Sequence, residues 1–217
     1  MARSPYHLHL RMLSESLVFP TLDQLLGPLQ AALRSSVKRI ERVEDNENED
    51  YAEHVIDEEC DLIEDLLGSS FVLCQTYITC VRYRVQRLRK AIARHDPGLV
   101  SRVPLTKKGI LRAGSTAVRG CGHSKVQVID SFANYFKHRV EWPPYWNRIE
   151  GDQAKRTVAV IRKVGAEEGC SGNMRRAARA LGNEGYCDLG VFQQALDTWR
   201  SNLIEQLRNE LVSGGLL

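Results

Sequence analysis

The stretch YAEHVIDEECDLIEDLLGSSFVLCQTYITCVRYRVQRLRKAIAR, residues 51–94, decides the fold class. Its apolar residues, among them Val55, Leu62, Leu66, Leu73, Tyr77, Val81, Val85, Leu88 and Ile92, recur every three or four positions. That is the period of a helix with one buried face. Unbroken, the segment spans roughly 65 Å at 1.5 Å per residue. Gly68-Ser69-Ser70 is expected to kink or break it. Asp96-Pro97-Gly98 ends it, because neither Pro nor Gly continues a helix at low cost.

On the N-terminal side, Leu22, Leu25, Leu29, Leu33, Val37 and Ile40 repeat the pattern, with Pro20 or Thr21 placed to open that helix. The first residues, MARSPYHLHLRMLSES, lack the continuous apolar run of an export signal and read as a short helix or arm. Downstream, helices are expected over 126–140, 152–164 and 171–181, and from Asp188 to the Gly214-Gly215 stop. Residues 99–125 hold Pro104, four glycines and many cations, and read as a long irregular loop. No segment alternates as a strand does. The expectation is therefore an all-α protein: a helical bundle with long antiparallel helices in residues 1–145, and a C-terminal helical extension, 146–217, packed on it.

Composition narrows the function classes. No apolar run approaches the roughly 20 residues that cross a bilayer, so no membrane partner is expected. The six cysteines form no C-x-x-C pair and suit a reducing cytoplasm. Cys121 and His123 have metal-ligand character, but no second pair stands at ligand spacing, and no metal or cofactor is expected. The net charge of +3 hides a separation. Residues 41–65 hold thirteen acids and one base, whereas residues 82–112 hold ten Lys or Arg and one acid. This is either two solvated faces matched to opposite helix ends or a basic patch for an anionic partner such as RNA.

The segment IDSFANYFKHRVEW, residues 129–142, carries the most chemistry. At 100° per residue, Ile129, Phe132, Ala133, Phe136 and Val140 share a core face. Asp130, Asn134, Lys137, His138 and Glu141 share the opposite face, with Arg139 at the border. Asn134 and His138, at i and i+4, are neighbours. A base that titrates near neutral pH beside cations suits phosphate chemistry; the same residues also make an ordinary polar helix face. GCGHSK, residues 120–125, lacks P-loop spacing. Asp57, Glu58, Asp61, Glu64 and Asp65 lack the Glu-x-x-His partner of a carboxylate metal site in a bundle.

The motif Asn134-Tyr135-Phe136-Lys137-His138, after two long helices in an all-helical plan, resembles the HEPN superfamily over residues 20–142. Members are helical bundles of prokaryotic toxin and phage-defence systems. The resemblance implies a metal-independent ribonuclease acting as a homodimer, with an Arg followed by a His after four to six intervening residues. Upstream of His138 those positions hold Ser131, Phe132 and Ala133, none basic. Arg89 and His95 give the one formal match. The implied site is thus His138 with Asn134, Lys137 and Arg139, or Arg89 with His95. Two alternatives stand beside it. One is a noncatalytic interaction or antitoxin-like protein that binds a partner protein. The other is a DNA-binding regulator, because Gly172–Gly182 is similar to the first helix and turn of Fis-type helix-turn-helix units.

Overall fold

The computed structural model describes residues 5–15, 22–44, 49–104 and 106–217. The expected helix opening at Pro20 or Thr21 lies outside them. The helices are α1 (Pro5–Ser14), α2 (Leu22–Glu44), α3 (Glu49–His95), α4 (Lys107–Arg112), α5 (Lys125–His138), α6 (Asp152–Lys163), α7 (Asn173–Leu181) and α8 (Gly190–Ser213). The described residues form no strand; a single bridge pairs Ala117 with Ser124.

The periodic segment is one continuous helix. α3 runs for 47 residues, and the break expected at Gly68–Ser70 is absent. The glycine has another purpose: a Cβ on Gly68 would stand 2.0 Å from the Phe136 ring. α5 therefore rests directly on the α3 backbone at that point, a close approach that only glycine permits. α2 and α3 run antiparallel. Arg39, near the end of α2, pairs with Glu59 near the start of α3, while Leu25 and Val72 share a groove at the opposite end.

Helix α8 completes the core of the bundle. Phe192, Leu196, Trp199, Leu203 and Leu207 of α8 are buried in the same apolar cluster as Phe71 and Phe132. The Phe71 and Phe192 ring centroids are 4.9 Å apart. Trp199 Nε1 donates to the Ile110 carbonyl at 3.0 Å, satisfying its one donor in the interior.

Two local expectations are corrected. The described residues between 99 and 125 form a 3-10 turn at Pro97–Arg102, then α4, capped by the Thr106 side chain, then the tight Ala117–Ser124 bridge. Positive φ at Gly120 and Gly122 turns the chain inside that bridge. Val140, expected on the core face of α5, is 87 % exposed, because the helix ends at His138.

Candidate functional site

α5 is fixed at its start by a capping box. The Ser124 hydroxyl oxygen accepts from Gln127 N at 3.2 Å, and Gln127 Oε1 accepts from Ser124 N at 3.1 Å. Ser124 also donates to the Leu111 carbonyl at 2.8 Å, tying α5 to α4. The polar face of α5 is consequently roofed over its first half by α4 and α6. Asp130, expected on a solvent face, is 5 % exposed. A carboxylate so enclosed needs partners. Lys107 Nζ of α4 lies 2.5 Å from Oδ2, and Gln75 Nε2 of α3 donates to Oδ1 at 3.1 Å.

Gln75 also donates to the Asp130 main-chain carbonyl at 3.1 Å and to Asn134 Oδ1 at 2.9 Å. One buried amide of α3 thus reads two successive polar positions of α5. Beside this network opens a cavity of about 330 Å³. Leu111 and Val160 supply apolar wall, and Lys107, Lys108, His123, Asp130, Asn134 and Arg156 supply charge and polarity. Its one carboxylate is neutralised by Lys107. Lys108 makes no hydrogen bond or ion pair with the described residues, and Arg156 meets only Asp152, in an exposed pair at 3.4 Å.

His123 sits among like charges. Partial burial pushes its pKa below the ordinary histidine value, and the cationic Arg112, Lys163 and Lys108 push the same way. Its Nδ1 is enclosed with no hydrogen-bond partner, and a hydrogen bond with Gln127 opposes the downward shift without cancelling it. Chemically, the arrangement gives a concave site with an excess of cations and a neutral imidazole, suited to holding an oxyanion.

The residues singled out in the sequence are dispersed. Asn134 belongs to the cavity. One turn on, His138 is largely exposed and its Nδ1 meets Glu141 Oε2 at 3.0 Å. Lys137 is exposed at the edge of an apolar groove on the far side of α5. Arg139 stacks over the Phe136 ring at 4.5 Å and pairs with Asp65 at 2.6 Å. Arg89 donates through Nη1 to the carbonyls of Val100 and Val103, both at 2.5 Å, and so holds the 3-10 turn. His95 is the exposed last residue of α3. Asp65 and Arg89 are 24 residues apart on one straight helix, roughly 36 Å, so within one chain neither Arg89 nor His95 approaches His138.

The other motifs have structural partners. Glu64 is 6 % exposed and caps α7 from outside: Met174 N and Arg175 N donate to its two oxygens at 2.9 and 3.0 Å. This docks the helix that resembles a helix-turn-helix unit onto α3, and α8, its second helix, is a core element. All six cysteines are free. Burial pushes the Cys74 thiol up to about 12. Among the described residues no three His, Cys, Asp or Glu side chains gather as metal ligands, Cys121 and His123 included. No described helix is long and apolar enough to cross a membrane. No protein-family model matches the chain, and no curated protein and no solved structure matches it either.

Lys107, Lys108, Gln75, Asp130 and Arg156 were not legible as one site. The Lys107-Lys108 pair directly after the helix-capping Thr106 was the available signal, and it was submerged in a stretch read as loop.

Proposed function

We propose that this chain is a helical binding protein for a small anionic ligand, held in the cavity between α4, α5 and α6. One observation carries the reading: Lys108, Arg156 and His123 face a cavity whose single carboxylate, Asp130, is already paired with Lys107. The volume, about 330 Å³, lies at the small end of ligand sites and suits a compact metabolite rather than a folded polymer. The six free cysteines favour a reducing cytoplasm as its setting. Isothermal titration with phenyl phosphate tests the reading. Saturable binding is expected, and Lys108→Ala/Arg156→Ala is expected to lower affinity at least about tenfold, since each charged hydrogen bond contributes roughly 1.5–3 kcal/mol. Absence of binding to the wild type, or equal binding by the double variant, would contradict it.

A second reading rests on His138 and Glu141. A carboxylate on Nδ1 leaves Nε2 facing solvent, the orientation of a general acid–base histidine. In this reading the protein is a HEPN-like ribonuclease of a toxin or defence system, and a second copy supplies the arginine that Ser131–Ala133 do not. His138→Ala would then lower RNA cleavage roughly 10²–10⁴-fold. Intact RNA after incubation with the wild type removes this reading and leaves the first untouched.

A further inference from the structure

The oxygens and nitrogens of the cavity wall are not equally available. Asp130 Oδ1 accepts from Gln75 and Oδ2 from Lys107. Gln127 Oε1 accepts from Ser124 N, and Asn134 Oδ1 accepts from Gln75. Every carboxylate and amide oxygen of the inner wall is therefore already bonded. The Ser131 hydroxyl and the exposed amide of Gln153 keep both characters, whereas the Thr157 hydroxyl donates to the Gln153 carbonyl at 3.0 Å and keeps only its acceptor side. Beside these neutral groups, the charged groups and inner-wall amide that still face the cavity offer donors: the Lys108 ammonium, the Arg156 guanidinium beyond its exposed pair with Asp152, and the amide nitrogen of Asn134.

The orientation of the Asn134 amide follows from its neighbours. Gln75 places one side-chain atom within 3.1 Å of a main-chain carbonyl and a carboxylate oxygen of Asp130. Both are acceptors, so that atom is the NH₂ group. The Asn134 atom 2.9 Å from the same NH₂ must then be its oxygen. Nδ2 is left with no partner among the described residues, on a side chain that lines the cavity. A flipped Asn134 would set two NH₂ groups against each other, so the network fixes the donor outward.

Building on the proposed anion-binding reading, we infer that the cavity selects a fully deprotonated, acceptor-only oxyanion head group, that of a phosphate monoester dianion or a sulfate monoester anion. Asn134 Nδ2 is the donor that selects it, and Gln75 is the positioning residue that aims Asn134. A ligand group carrying its own O–H or N–H donor meets Nδ2 and the cations head-on, and finds as acceptors only neutral hydroxyl oxygens and oxygens that each already accept a bond.

The test uses sulfate and inorganic phosphate at about pH 8, where both are dianions but only hydrogen phosphate carries an O–H donor. The wild type is expected to bind sulfate at least as tightly as hydrogen phosphate. Asn134→Asp keeps the bond from Gln75 and replaces Nδ2 by an acceptor. It is expected to weaken sulfate at least roughly thirtyfold and hydrogen phosphate distinctly less, reversing the order. Asn134→Ala should weaken sulfate by about tenfold and hydrogen phosphate by less, narrowing the gap between them. Gln75→Met should weaken sulfate in the wild-type background and not in Asn134→Ala, a non-additivity that general loosening of the core would not produce. The cycle keeps the inference testable should Asn134→Asp fail to fold. If the wild type binds neither anion, the anion-binding reading falls and this inference with it. If it binds both and Asn134→Asp retains the wild-type order, or Gln75→Met acts equally in both backgrounds, this inference alone is overturned.

Discussion

The stretch of α5 up to Asn134 and its last turn carry similar residue types and meet opposite fates. Asp130 and Asn134 are covered by α3, α4 and α6 and drawn into one hydrogen-bond network around Gln75. Lys137 and His138, at the end of the same helix, and Glu141 just beyond it reach solvent. The difference arises outside α5: the Ser124 capping box and the short α4 put a roof over one end, and nothing among the described residues covers the other. A polar helix face becomes a site only where neighbouring elements enclose it, because enclosure removes water and makes each charge depend on its partners.

The largest effect is expected where that enclosure is tightest. Asp130→Ala leaves Lys107 and the Gln75 amide without their acceptors and should destabilise the protein by about 3 kcal/mol, read as a lowered urea midpoint. A change below about 1 kcal/mol would mean the covered end is as permissive as the exposed one. Next comes the contact that seats α5 on α3. Gly68→Ala drives a Cβ into the Phe136 ring and should cost roughly 2 kcal/mol. In Gly68→Ala/Phe136→Ala the two costs should add to less than their sum by about 1 kcal/mol, since the clash is gone.

A smaller effect follows from His123. Its folded-state pKa is lowered, chiefly by burial and further by Arg112, Lys163 and Lys108. The unfolded chain therefore takes up the proton first as pH falls, and the contribution to stability is present above the unfolded value and lost as pH drops through it toward the folded one. Denaturation at pH 7.5 and pH 5.5 should show the decline, and His123→Gln should flatten part of it. His9, lowered by burial and by Arg87, adds a decline of the same sign. The smallest effect belongs to the exposed turn: His138→Ala should change stability by less than about 0.5 kcal/mol and leave phenyl phosphate binding as it was. A larger loss would show that the last turn is structurally engaged.

The helices were legible because burial imposes a 3.6-residue period on the apolar residues. Leu196, Trp199, Leu203 and Leu207 carry that period and are buried as expected. The helix ends were less legible. Val140 continues the pattern by count, yet α5 stops at His138. Gly68 shows why a breaker signal misleads, since a glycine that admits a neighbouring ring and one that bends a helix are the same letter. The site was legible only at Asn134. Gln75, Lys107 and Asp130 are separated by 32 and 23 residues, and no local spacing rule links a mid-helix glutamine to a lysine that follows a helix cap. Their meeting depends on tertiary packing, which periodicity does not encode.

The central claim is that the covered end of α5, not its exposed end, receives the ligand. Backbone amide NMR during titration with phenyl phosphate measures this in one experiment. Shifts are expected at Lys107–Arg112, at residues 122–134 and at residues 156–160, with Lys137–Glu141 unmoved. Shifts confined to Lys137–Glu141, or none along α4 and α6 at saturation, would contradict it.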